Sequence, residues 1–184
     1  MKQIINILEQ MKNTTVNNYV LAGLSSSLVG NNGHGKVRLF EMSRNQRDAI
    51  TPHSHRFNFT CLVLRGSVTN TLWYKVDKDE NPLDYDDADL YAVSQLKYSG
   101  KIGEHVPKLI SEDYFFAVEE EFEEGNLYSM EAGDIHSIKF SKDAIVLFFE
   151  GVEQSKLSTI IEPIVNGKVI PTYENKPYMF TKNQ

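Results

Sequence analysis

Cysteine occurs once in the 184 residues, at Cys61, so no internal disulfide can form and the fold must rest on its own core. A chain of this length buries enough apolar surface for one domain without such a staple. Basic residues are scarce too. Nineteen lysines and arginines face 25 aspartates and glutamates, for a formal net charge of −6. A phosphate backbone needs the opposite balance, so no nucleic-acid partner is expected. Long apolar runs are missing. The opening "MKQIINILEQMKN" is interrupted by Asn6 and Glu9 and is followed by no small-residue cleavage site. It reads as an amphipathic helix, not as a signal peptide or membrane span. A lone cysteine fits a reducing compartment, so a cytoplasmic location away from membranes is expected. Neither an internal repeat nor a Pro/Gly/Ser linker divides the chain, which is read as a single domain over 1–184.

What is present is periodicity. Residues 2–12 set Ile4, Ile5, Leu8 and Met11 on one helical stripe, and residues near 19–28 read as a second short helix. Together they make a helical extension over 1–30. From 36 to 150 the period falls to two. "VRLFEM", "FTCLVLRG", "VTNTLWYKV", "AVSQLKYSG", "YFFAVEEEF", "NLYSM", "HSIKF" and "AIVLFFEG" read as strands, with turn residues between them. An acidic, loop-like insert covers Asp77 to Asp89. Residues 151–184, with Pro163, Pro171 and Pro177, read as an irregular extended wrap. Many short strands behind a helical start imply a β-sandwich or barrel.

Four motifs fail on their own chemistry. "GNNGHGKV" lacks the Ser or Thr that a phosphate loop needs after its lysine, and a strand, not a helix, follows it. "DKDENPLDYDDA" starts like a calcium loop, but Pro82 stands where glycine must turn and Ala88 where the closing glutamate belongs. "EEEFEE" reads as a solvated strand end. "GLSSS" lacks the second glycine of a nucleophile elbow.

One pattern survives. In "TPHSHRFNFTCLVLRGSV", His53 and His55 sit one residue apart at the head of a strand-like run. On extended chain they point to one side, so their nitrogens can meet at one point. A third imidazole must come from another strand, and His136 supplies it after the Gly133-Asp134 turn. His34 falls in a turn, and His105 reads as a surface residue. Cys61 reads as a buried small hydrophobe.

This spacing resembles the cupin superfamily. His53-Ser54-His55, three residues, Phe59, six residues and Gly66 match its first motif. Gly125, five residues, Glu131, Ala132, Gly133, two residues, His136, three residues and Phe140 match its second. The departures are chemical. The glycine that opens the first motif is absent, Glu131 replaces proline and Phe140 replaces asparagine. Phe59 stands where the family carries a glutamate ligand. The resemblance implies a mainly β, cupin-type double-stranded β-helix (jelly-roll) barrel with a short helical N-terminal extension. It also implies a metal site of His53, His55 and His136, holding one divalent transition metal. Three neutral imidazoles favour iron(II), with zinc or nickel as alternatives, over magnesium or calcium. Parity lines the pocket with Phe57, Phe59, Ile138 and Phe140.

A three-histidine cupin site is similar to that of thiol dioxygenases of the cysteine dioxygenase type. Some of those enzymes crosslink a cysteine to a tyrosine. Cys61 is one residue off that place, and no tyrosine occupies the matching position after His136. The implied function is metal-dependent dioxygenation of a small molecule, with no acid–base residue assigned. The alternative is a non-catalytic cupin that sequesters a small metabolite or signalling molecule, with part of Asp77–Glu124 as a lid. Exposed strand edges in such barrels are commonly covered by pairing, so a homodimer is expected.

Overall fold

The computed structural model describes residues 2–31, 33–77, 79, 81, 85, 87–97 and 107–170. Helix α1 spans Lys2–Thr14. It is followed by β1 (Val16–Asn17), β2 (Leu24–Asn31), β3 (Lys36–Met42), β4 (Phe57–Arg65), β5 (Ser67–Lys75) and β6 (Asp89–Lys97). Then come β7 (Lys108–Glu123), β8 (Leu127–Met130), β9 (Ile135–Phe140), β10 (Ile145–Glu153), β11 (Leu157–Val165) and β12 (Lys168–Val169). Among the described residues, no helix is long and apolar enough to cross a membrane.

The strands form two six-stranded sheets, in the orders β1-β2-β3-β10-β4-β8 and β12-β11-β6-β7-β5-β9. All pairings are antiparallel. From β4 to β5, and through β8, β9, β10 and β11, the chain steps from one sheet to the other. This is the jelly-roll barrel that the motif resemblance implied. The β4–β5 step turns on Gly66, whose φ is +73°. A Cβ there would also lie 2.7 Å from Ser141 Oγ, so glycine is required twice over.

Side chains on the facing sides of the two sheets make one core, with Phe59, Val63, Val68, Tyr128, Val146 and Phe148 among its members. A second cluster of Tyr91, Val93, Phe115 and Ile161, with Trp73 and Ile135, lies on the other face of the second sheet. That sheet closes on itself. His53 bridges His136 of β9 on one side and Ile160 of β11 on the other, which completes a ring through β6, β7 and β5. The Trp73 and Tyr91 rings, two strands apart, are only 5.2 Å from centre to centre, so the ring curls around the second cluster.

Three expectations are corrected. Residues near 19–28 are not a second helix, because β2 begins at Leu24 and pairs with β3. The serines 25–27 are poor helix formers, and Ser26 and Ser27 are buried in that pairing, so tertiary context decides. The helical extension therefore stops at Thr14, and the barrel sheet takes up the chain well before residue 36. Residues after 150 are not an irregular wrap as far as Val169. β11 pairs with β6 along its length, Pro163 included, and Pro171 and Pro177 lie outside the described residues. Finally, the H-x-H segment precedes a regular strand, since β4 starts only at Phe57. The phosphate-loop look-alike is the β2–β3 turn, with His34 exposed in it. Half of the calcium-loop look-alike, and His105, fall outside the described residues.

Candidate metal centre

The segment 52–54 has no strand ladder of its own, yet its backbone is held on both flanks. His53 N–H donates to His136 O (2.8 Å) and His136 N–H returns the bond to His53 O (3.0 Å). On the other flank, Ser54 N–H donates to Thr159 O (2.8 Å) and Ile161 N–H to Pro52 O (3.1 Å). Ser54 points away from the histidines, and its Oγ accepts from Thr159 N–H (2.8 Å). Alternation along the segment thus sends His53 and His55 one way and Ser54 the other. The second motif is fastened to the first at its turn. Ala132 N–H donates to Asn58 Oδ1 (2.8 Å) and Gly133 N–H to His55 O (3.3 Å).

The three imidazoles meet. Their ring centres are 4.9 Å (His53–His55), 5.0 Å (His53–His136) and 5.2 Å (His55–His136) apart. One nitrogen of each lies within 4.8 Å of the others. His136 is 2% exposed, while His53 and His55 are half-buried, so solvent reaches the cluster from their side. No carboxylate or thiol joins the group among the described residues.

Two outer contacts decide which nitrogens are bare. His53 Nδ1–H donates to Thr51 O (2.7 Å), a group that only accepts, so Nε2 of the neutral ring keeps its lone pair. His136 Nδ1 is 2.7 Å from Asn70 Oδ1. The Asn70 amide is oriented by its Nδ2, which donates to Met130 Sδ at 3.5 Å, so Oδ1 faces the imidazole and His136 Nε2 is also bare. That Nε2 lies 3.1 Å from His55 Nε2. Two imidazoles bound about 2.0–2.1 Å from one ion would stand about 2.8–3.4 Å apart, between right-angled and tetrahedral geometry. The His55–His136 spacing fits a shared ion, and a nitrogen of His53 lies within 4.8 Å of both.

Burial keeps all three rings neutral. It lowers His53 below the usual histidine value, against a smaller opposing effect of the Thr51 carbonyl. Burial holds His55 well below, helped by His53, His136 and Arg56, and His136 well below, helped by His53. A neutral imidazole is the form that binds metal.

Phenylalanine occupies the surroundings. Phe59 is 3% exposed and its ring centre is 4.7 Å from His55 and 5.4 Å from His136. Phe57 stands 5.5 Å from His55, and Phe148, which the sequence did not single out, 6.0 Å. Ile138 and Phe140 follow His136 on β9 and are buried in the core between the sheets. Sequence reasoning missed three further groups. Asn70 sits on the face of Val68 in β5, and a buried amide at that parity was the available signal. Glu150 is the cross-strand partner of Phe59, and so shares its face, one aromatic ring from His55. Arg38 pairs with it at 3.5 Å and donates to Ser26 Oγ at 3.2 Å. Cys61 faces Tyr128 across the β4–β8 ladder. Burial pushes its thiol up to about 12, and the Tyr128 hydroxyl is buried without a well-formed hydrogen bond.

Two antiparallel sheets closed into a barrel, with three histidines gathered at one end, are the arrangement that the motif spacing implied. No family model and no curated protein matches the sequence. Solved structures with a similar backbone include KdgF from Halomonas sp., at 10% identity and TM-score 0.40, covering 76% of this chain and 89% of that one. The cupin domain of CENP-C from Drosophila melanogaster gives 10% identity and TM-score 0.40, over 82% of this chain and 97% of that one. Hydroquinone 1,2-dioxygenase from Sphingomonas sp. TTNP3 gives 14% identity and TM-score 0.38, over 70% and 65%. These likenesses are of backbone alone and assign no activity to this chain.

Proposed function

We propose that His53, His55 and His136 hold one divalent transition metal and that the protein is a metal-dependent oxidoreductase of the dioxygenase type, acting on a small molecule. The observation that carries this reading is the convergence of three neutral imidazoles, two of them fixed by Thr51 O and Asn70 Oδ1 with Nε2 bare. An all-nitrogen set suits iron(II), nickel or zinc, and iron(II) bound there would supply a redox centre with positions left for dioxygen and substrate. The chain's own part is support. Asn70 and Thr51 hold the rings in place, and outer partners of this kind tune ligand basicity. Phe57 and Phe59 line the approach and exclude water, while Ile138 and Phe140 back His136. Arg38 and Glu150 place one charged pair on the same face for the polar part of a small molecule.

The test is to incubate the iron(II)-loaded protein with a small-molecule extract under dioxygen and follow the products by mass spectrometry. An extract component gaining two oxygens, and no longer doing so with His53→Ala, supports the reading. Full metal loading without oxygen uptake, together with a small molecule released unchanged on denaturation, favours the second reading of a sequestering module. One observation speaks for that alternative: Arg38 and Glu150 are paired with each other, so neither is poised as a general base. In either case we expect a cytoplasmic homodimer. β8, only four residues long, is the terminal strand of the first sheet, and light scattering reads the mass.

A further inference from the structure

We propose that the opposite end of the first sheet carries a second binding site, for a small zwitterion whose carboxylate and ammonium are joined by a short apolar stem, such as an ω-amino acid. A cavity of about 510 Å³ opens there, of a size suited to a small molecule. It lies about eight strand residues, roughly 25 Å, along β4 from the histidines and owes nothing to the metal. Its floor includes Ile145. Register places Glu41 of β3 on one side of Ile145 and Arg65 of β4 on the other. The two are therefore separated by two strand spacings, roughly 10 Å between Cα atoms. The β4–β10 register slips at this point, and bulges of this kind re-aim side chains. Asp143, in the turn before β10, lines the same cavity.

A guanidinium and two carboxylates thus line one cavity, yet none of the ion pairs among the described residues involves Glu41, Arg65 or Asp143. Arg65 can take a carboxylate in a two-point grip, and Glu41 with Asp143 can take an ammonium. Ile145 between them suits an apolar stem. The rim is fixed in advance. Asn18, in the left-handed region at φ +55°, accepts from Gly23 N–H through Oδ1 at 2.9 Å, and Ser43 donates to Gly23 O through both N–H (2.9 Å) and Oγ (3.0 Å).

Calorimetric titration of the protein with γ-aminobutyrate and with lysine tests this, with butyrate and butylamine as single-charge controls. Both zwitterions should bind, and both controls should bind at least about tenfold more weakly, because each leaves one charged side chain without its counterpart. Arg65→Glu and Glu41→Lys should each lower zwitterion affinity by a similar factor. The double variant should regain part of it, since a dipolar ligand can lie the other way round, and adding Asp143→Asn should raise the recovery further, because Asp143 otherwise repels the reversed carboxylate. The proposal is overturned by silence from both zwitterions, by controls that bind as well as they do, by single reversals without effect, or by a double variant that stays as weak as the singles.

Discussion

At one end of β4, three imidazoles meet, His55 and His136 against phenylalanine rings, with the Nδ1 protons of His53 and His136 pinned by a carbonyl and an amide. At the other end, Arg65 shares an open cavity with Glu41 and Asp143, and no ion pair joins them. The same strand serves two kinds of polar chemistry. Near Phe59, burial makes charge expensive, so the imidazoles stay neutral with lone pairs to offer, and the charges of Arg38 and Glu150 are paired with each other. Near Arg65, water is at hand and charge survives. The two ends are also held differently. His53 is clamped through its backbone between β9 and β11, whereas the cavity rim is a loop stitched by side chains.

That contrast sets the size of mutational effects. Phe59→Ala removes a ring packed against His55, His136 and Phe148, and large truncations of this kind cost about 3–5 kcal/mol. Urea unfolding of the metal-free protein should show that loss. Asn70→Ala should cost less, about 1–3 kcal/mol for the imidazole N–H left without its acceptor. It should also weaken metal affinity by about 10–100-fold in a competition titration. A spectrum of bound cobalt unchanged in that variant would mean that Asn70 does not orient His136.

Acid should separate the ends further. The three imidazoles are depressed below the ordinary value of 6.5 in the folded protein. Below that pH the unfolded chain takes up protons that the folded, metal-free chain does not. Stability therefore falls as pH drops through 6.5 toward the depressed values, and is intact above. Urea midpoints at neutral pH and at two units lower read this directly, and a His53→Ala variant should show a shallower loss. The smallest effect belongs to the charged end. Glu41→Gln leaves an exposed side chain without an ion pair to break, so stability should move by less than about 0.5 kcal/mol.

Much of the histidine end was legible in the sequence. The H-x-H spacing put two imidazoles on one side, and Gly133-Asp134 before "IHSIKF" pointed to the third. Each strand from Lys36 to Glu153 was read at least in part from its alternation and turn residues, β7 only from Tyr114 and β6 only from Ala92. What could not be read depends on partners far along the chain. Ser25, Ser26 and Ser27 look like the middle of a polar, helix-like stretch until β3 pairs with them. β11 contains Pro163 and was read as a wrap, because only β6 makes it a strand. Asn70, Arg38 and Glu150 carry no motif. Asn70 comes beside His136 only once β5 meets β9, and Arg38 and Glu150 reach the face of Phe59 only once β10 meets both β3 and β4. The closure through His53 is likewise a matter of two single bridges, too short to leave a periodic trace.

The most direct test of the metal centre is elemental analysis of the purified protein beside His136→Ala and Glu41→Gln. One divalent transition ion per chain is expected in the parent and in Glu41→Gln. His136→Ala should be nearly metal-free while keeping a β-type circular-dichroism spectrum. Full occupancy in folded His136→Ala, or a parent that takes up no ion when iron(II), nickel and zinc are each supplied, would contradict the three-histidine centre.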